Sequence, residues 1–295
     1  MTPRRRDRAL ASAGSALGRV SDWLELRGFA KWVALAAIVG VFGGCAAVVF
    51  SLMVDNAIEY GFGRIAGTTQ GGLMEGANPS LVLLLPTLGG LLVGLTVHWA
   101  GAERDGAGTD AVIRAFHRMK GRVRHRVALI TAVTSTLTIG SGGSGGREGP
   151  VSQVTAAIGS TIASRLKFSD RDRRLFLMAG GSAGVSALFA SPLGAALFLP
   201  EVMYRRAEFE GDAIIPCVVS SSVAYATFAA ILGEERAIMI PEMVFDRLGF
   251  GGIREIGIYL VLGIACALLG WLFVHGVGAV DALFRRQRFV PRVLP

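Results

Sequence analysis

The chain has 295 residues, of which 52% are hydrophobic and only 18% charged, against about 25% charged in soluble domains. A mean hydropathy of +0.52 excludes an unfolded chain. The 40 glycines, about twice the usual share of ~7% and without a triplet period, exclude collagen and fit closely packed transmembrane helices.

Seven stretches lack Asp, Glu, Lys and Arg: 32–54, 76–102, 127–146, 149–164, 175–200, 213–233 and 256–280. Several exceed the ~20 residues that cross a bilayer as a helix, so the chain reads as an all-α integral membrane protein. Residues 1–30 form a basic segment that includes Arg4, Arg5 and Arg6, with 17–29 as an amphipathic helix on the inner surface. The apolar run that follows is longer than the 7–15 residues of a secretory signal, so it is an anchor. Full helices are expected over 31–54, 79–101, 213–232 and 253–284. The domains are then a cytoplasmic segment 1–30, a membrane domain 31–284 and a basic cytoplasmic tail 285–295.

The net charge of +8 and pI near 10.1 would suggest nucleic acid in a soluble protein. Here the arginines flank apolar spans, so no nucleic-acid partner is expected and the charge sets topology in the cell membrane. Basic residues cluster in 1–31, 103–126, 165–174 and 281–295, which places these segments in the cytoplasm and leaves 55–75 and 234–255 outside. Cys45, Cys217 and Cys266 lie far apart in apolar runs, with no metal or redox pair. His98, His117 and His125 show no metal-ligand spacing either.

The informative feature is a break. A helix over 127–139 is too short to span, and Gly140-Ser-Gly-Gly-Ser-Gly-Gly-Arg-Glu-Gly-Pro150 follows it. A second break, Ala190-Ser191-Pro192, divides 175–204 into two half-length helices. Irregular backbone at membrane depth survives only where protein buries it or it lines a cavity, so such breaks mark binding sites. Pro150 suits the first turn of the next helix, which starts near Gly149 and turns its free N–H groups and positive dipole end into the break. Another N-terminus begins near Gly108, with Thr109 or Asp110 as its cap, and Arg147 adds positive potential. Two such N-termini favour an anion. Glu148 stands among them as an intramembrane carboxylate, either competing with the anion or capping the helix and balancing Arg147.

Gly146-Arg147-Glu148-Gly149-Pro150 resembles the GxEGP motif of the CLC family of chloride channels and chloride–proton exchangers. Gly140–Gln153, Ala179-Gly-Gly-Ser-Ala-Gly-Val185 and Ser191-Pro192-Leu193-Gly194 with Leu197-Phe198 are similar to that family in the same order. The resemblance runs from about Lys31 to Phe284. It implies a fold of broken and re-entrant helices, one inverted-repeat half plus about one further helix, in a homodimer without cofactor. It implies a voltage- or pH-gated chloride channel, with Glu148 as the gating glutamate. Gly146, Arg147, Gly149 and Pro150 would frame the outer anion position, and Gly106, Ala107, Gly108 and Thr109 the inner one.

Three departures qualify this. The family's Gly-Ser-Gly-Ile-Pro is here Gly106-Ala107-Gly108-Thr109-Asp110, which removes an anion-touching hydroxyl. Proton-coupled members often carry Glu-Glu where this chain has Glu201-Val202, which favours a channel and leaves a chloride–proton antiporter as the alternative. The family's GxFxP motif and anion-contacting tyrosine belong to a second half, so the chain reads as truncated or split and as wanting that complementary half.

Two other classes compete with this reading. Gly142-Gly143-Ser144-Gly145 with His275 fits the GxSG and histidine of rhomboid-like intramembrane serine proteases. That reading leaves Arg147 and Glu148 without a role. The run also fails as a phosphate-binding P-loop, because Arg147-Glu148 stands where Lys-Ser/Thr is needed. A non-conducting fragment is the third possibility.

Both termini are expected in the cytoplasm, so an impermeant thiol reagent applied to intact cells should leave Arg6→Cys and Arg288→Cys unlabelled; labelling of either rejects this topology. Residues 1–295 reconstituted alone should release no more anion than empty liposomes, because uncovered broken helices expose backbone to lipid.

Overall fold

The computed structural model describes residues 3–65, 67, 78–100, 108–204, 211–233 and 253–286. Among these every element is helical. In chain order they are α1 (Pro3–Ile58), a π-helical turn (Glu59–Ile65), α2 (Pro79–Ala100), α3 (Thr109–Arg118), α4 (His125–Gly140), α5 (Glu148–Arg165), α6 (Asp170–Phe189), α7 (Pro192–Met203), a 3-10 turn (Gly211–Ala213), α8 (Ile214–Leu232) and α9 (Ile253–Arg286). Residues 29–65, α2, 211–232 and 255–280 are long and apolar enough to cross a membrane. The expected breaks are present between α4 and α5 and between α6 and α7. The expected inner-surface helix 17–29 runs unbroken into the anchor as part of α1.

The chain divides into two compact units, 1–235 and 236–295. In the second, α9 is one long helix whose described side chains from Ile256 onward are exposed. Within it a ring nitrogen of His275 lies 2.8 Å from the Trp271 carbonyl oxygen.

The first unit is assembled on glycine. In lipid, helices gain little from burying apolar side chains, so close backbone packing has to hold them. Gly40 and Gly44 of α1 face α8 closely: a Cβ at Gly40 would sit 2.6 Å from the Ser220 carbonyl oxygen and one at Gly44 2.7 Å from that of Ala224. The two helices therefore run parallel. Gly43, on the neighbouring face, lies against Ala183 of α6. Between α5 and α6, Gly159 meets the Phe176 carbonyl and Gly180 meets the Thr155 carbonyl, so this pair is antiparallel. The aliphatic core lies around that pair, with Met178, Leu177 and Leu199 fully buried.

At one end of the bundle the basic loops meet. Arg173, only 5% exposed, donates to the Lys120 carbonyl at 3.1 Å, the Phe168 carbonyl at 3.1 Å and Asp170 Oδ1 at 2.7 Å. That hydrogen bond from Arg173 holds the Asp170 carboxyl below the ordinary aspartate range, with Lys120 lowering it further. The pair's contribution is present at neutral pH and fades as pH falls through that lowered value. Trp32 of α1 stacks on Phe176 at 5.2 Å and lies near Phe168. Segments 119–124 and 165–174 and the start of the α1 span thus share one side, in keeping with the charge pattern.

The packing yields a test. Gly159→Ala and Gly180→Ala should each cost about 1–3 kcal/mol, because the new methyl strikes carbonyl groups that cannot retreat. Gly90→Ala, where a Cβ meets nothing within 4 Å, should stay within about 0.5 kcal/mol. Thermal unfolding in detergent distinguishes them, and equal effects at the three positions would refute the glycine seams.

Candidate anion site

Helix α4 is rich in hydroxyls. Thr131, Thr134, Thr136 and Thr138 each return a hydrogen bond to the carbonyl four residues back, at 2.8–3.0 Å. This lets a polar helix stand in an apolar surrounding without unpaired donors. The helix stops at Gly140, which lies directly against Ala57 at the end of α1. The chain then turns, with the Gly143 N–H donating to the Thr138 carbonyl at 2.8 Å, and α5 begins at Glu148.

The start of α5 meets the start of α3. Gly108 precedes α3 with φ of +65°, a left-handed conformation that suits glycine. A Cβ on it would be 3.0 Å from the Cα of Gly149, and one on Gly149 would be 3.3 Å from the Cα of Gly108. Two helix N-termini therefore touch backbone to backbone. The Val151 N–H bonds the Arg147 carbonyl, which leaves those of Glu148 and Gly149 without a partner in the helix, while Pro150 has none to offer. In α3 the Val112 N–H bonds the Gly108 carbonyl, leaving those of Thr109, Asp110 and Ala111. Two positive dipole ends in contact favour negative charge between them.

An open cavity of about 400 Å³ lies against this junction. Gly108, Thr109 and Asp110 line it from α3, and Gly146, Glu148, Gly149 and Pro150 from the break and α5. Thr131 and Ser135 line it from α4; both escaped the sequence reading, although their spacing of four puts them on one helix face.

Several expectations are corrected. Arg147 does not balance Glu148: its guanidinium lies 2.8 Å from Asp55 Oδ1, and Ser51 donates to the other oxygen of that carboxylate at 3.1 Å. Neither Thr109 nor Asp110 is the cap of α3; Gly108 holds that position, with no side-chain hydrogen bond. The Gly108 N–H does not face the cavity unpaired, because Gln153 Oε1 accepts from it at 2.8 Å. Gln153 is 0% exposed and lies one turn into α5, where the sequence offered no sign of its role. Glu148 is exposed, with an oxygen folded back over Gly146. Gly106 and Ala107 lie outside the described residues. Val202, in place of a second glutamate, packs on the apolar core, and Glu201 beside it is exposed.

Depth follows from α1. Asp55 is 23 residues beyond Trp32 in the same helix, or about 35 Å at 1.5 Å per residue. Arg147, tied to Asp55, therefore lies toward the opposite end of the bundle from Trp32 and the basic loops, and Glu148 stands beside it.

The family model described as "Voltage gated chloride channel" matches residues 89–295. A chloride/fluoride channel protein of Pseudomonas syringae is 29% identical over 257 residues, covering 87% of this chain and 52% of that protein. The H(+)/Cl(−) exchange transporter ClcA of Citrobacter koseri is 27% identical over 255 residues, covering 85% and 52%. A CLC-type fluoride/proton antiporter structure shares the fold, with a TM-score of 0.73 and 21% identity over 90% of this chain and 61% of that one. The chain spans about half the length of the curated relatives it matches. With most of the chain inside the family model and its fold shared with a CLC antiporter, the chain belongs to the voltage-gated chloride channel, or CLC, family of multi-pass membrane channels and transporters.

Proposed function

We propose that the chain supplies one half of an anion pathway, with chloride or another small anion as its cargo and Glu148 as its gate. The observation that carries this is the contact of the α3 and α5 N-termini at Gly108 and Gly149, beside an open cavity that Glu148 lines. Free N–H groups and two dipole ends hold an anion there without a full positive charge. The Glu148 carboxylate, one of two acids lining the cavity with Asp110, competes for the donors at the start of its own helix. Protonation removes that charge, and the neutral side chain gives way to the anion.

The outer position is framed by the backbone of Gly146, Arg147, Gly149 and Pro150, and the inner one by that of Gly108 and Thr109; Gly106 and Ala107, the other two residues the family resemblance assigns to it, lie outside the described residues. At the inner position Gln153 already occupies the Gly108 N–H, so the donors come from Thr109 onward. The second half of the pathway comes from sequence outside this chain, and the assembled form is a homodimer, as family membership suggests.

Val202 favours a channel. The exchange transporter among the relatives supports a second reading, anion–proton antiport. A chloride gradient that drives proton movement across sealed liposomes would select the antiporter.

In the complete protein that carries this half, acid outside should open the pathway, with anion efflux from liposomes severalfold faster at pH 4.5 than at pH 7.5. Glu148→Ala should conduct at both values with little difference between them. Efflux of chloride and of fluoride, measured side by side, gives the preferred ion. A pH response unchanged in Glu148→Ala removes the gate from Glu148.

A further inference from the structure

A serine or threonine in an apolar helix disposes of its hydroxyl hydrogen by donating to a carbonyl three or four residues earlier. The four threonines of α4 do so, and Ser141, just past its end, donates to the Thr138 carbonyl at 3.0 Å. Ser135, the one serine of α4, does not, and among the described residues its hydroxyl has no other hydrogen-bond partner.

The cause is local. The carbonyls that Ser135 could reach in its own helix are those of Thr131 and Ala132. The first already receives the Thr134 hydroxyl at 3.2 Å, and the second the Thr136 hydroxyl at 2.9 Å. Each also accepts the helical N–H four residues on, which uses both lone pairs of the oxygen. The backbone therefore leaves the Ser135 hydroxyl no acceptor.

The cavity at the α3–α5 junction is where that hydroxyl can act. Ser135 is half-buried and lines this cavity, one turn along α4 from Thr131. Its N–H and C=O belong to the helix ladder, so the polar group it brings to the wall is its O–H. Thr131 brings no free hydrogen, since its hydroxyl donates to the Val127 carbonyl at 3.0 Å. The other unpaired donors beside the cavity are the N–H groups that open α3 and α5. A cavity supplied with O–H and N–H hydrogens next to two positive dipole ends suits an anionic acceptor.

We propose that Ser135 is an anion-binding residue, whose hydroxyl donates to the anion held beside the Gly108–Gly149 junction. This rests on the reading of the cavity as an anion site. Helix N–H groups point in fixed directions, whereas a serine hydroxyl rotates to meet its acceptor. Ser135 thus gives α4 a direct hold on an ion that the starts of α3 and α5 attract.

The test is equilibrium binding in the complete protein that carries this half, purified in detergent and exchanged into gluconate. Calorimetric titration with sodium chloride, and separately with sodium fluoride, gives Kd for Glu148→Gln, which keeps the size of that side chain and removes its charge. Adding Ser135→Ala, a substitution that favours helix, should raise the Kd of each ion that binds about tenfold or more, as expected for a lost hydrogen bond to a charged group. Adding Thr134→Val instead removes a hydroxyl already bonded to its own helix and should leave Kd within about twofold. An unchanged Kd in Ser135→Ala overturns the contact and leaves the anion site standing. An equal rise in both variants traces the effect to the helix and overturns the contact as well. If neither ion binds saturably to Glu148→Gln, the anion site itself falls, and the role of Ser135 with it.

Discussion

The approach of Gly108 to Gly149 is the constraint on which the rest of the site depends. Helix N-termini repel when brought together, because each carries partial positive charge and unpaired donors. Here side chains are absent from both contact positions, so the backbones close to van der Waals distance. Gln153 fixes the approach by accepting from the Gly108 N–H, which ties the residue before α3 to the second turn of α5. What remains is a junction of two positive dipole ends, with the carboxylates of Asp110 and Glu148 lining the cavity beside it. Arg147, which sequence alone assigns to the same junction, is held instead by Asp55 and serves to tether the break to the end of α1.

The same device, glycine in place of a side chain, holds the scaffold. Gly40 and Gly44 seat α1 on α8, and Gly159 and Gly180 seat α5 on α6. A frame held by backbone contact has few degrees of freedom, since a shift by one residue would bring a side chain against a carbonyl. The orientation of α5, and hence of its dipole, is fixed by these seams rather than by the loop residues around Glu148.

Most of this was legible in the sequence, for a physical reason. Charge-free runs report helices in lipid, and glycine–proline clusters report their interruption, so α4, α5, α6 and α7 were placed to within a few residues. The junction of Gly108 with Gly149 was legible as two N-termini attracted to one ligand. Gln153 was not: a buried glutamine one turn inside an apolar helix looks like any other polar residue until its partner, 45 positions earlier, is placed beside it. Asp55 was counted as a loop charge, because pairing across 92 positions leaves no local pattern. Thr131 and Ser135 had a pattern, but threonine is common along α4 and only the cavity separates these two from the rest.

The α1–α8 seam also bears on how the chain is made. Gly40 and Gly44 find their partners near Ser220 and Ala224, about 180 residues later in synthesis. At 5–20 residues per second, α1 waits roughly 10–35 s in the bilayer with its glycine stripe uncovered. During that interval α5 and α6 emerge, adjacent in sequence, and their antiparallel pair is available to offer Ala183 to Gly43 before α8 is made. Helix α8 then closes over a groove that its predecessors have shaped. The order of translation thereby becomes part of the folding route, and a pause before residue 214 would lengthen the life of an open groove facing lipid.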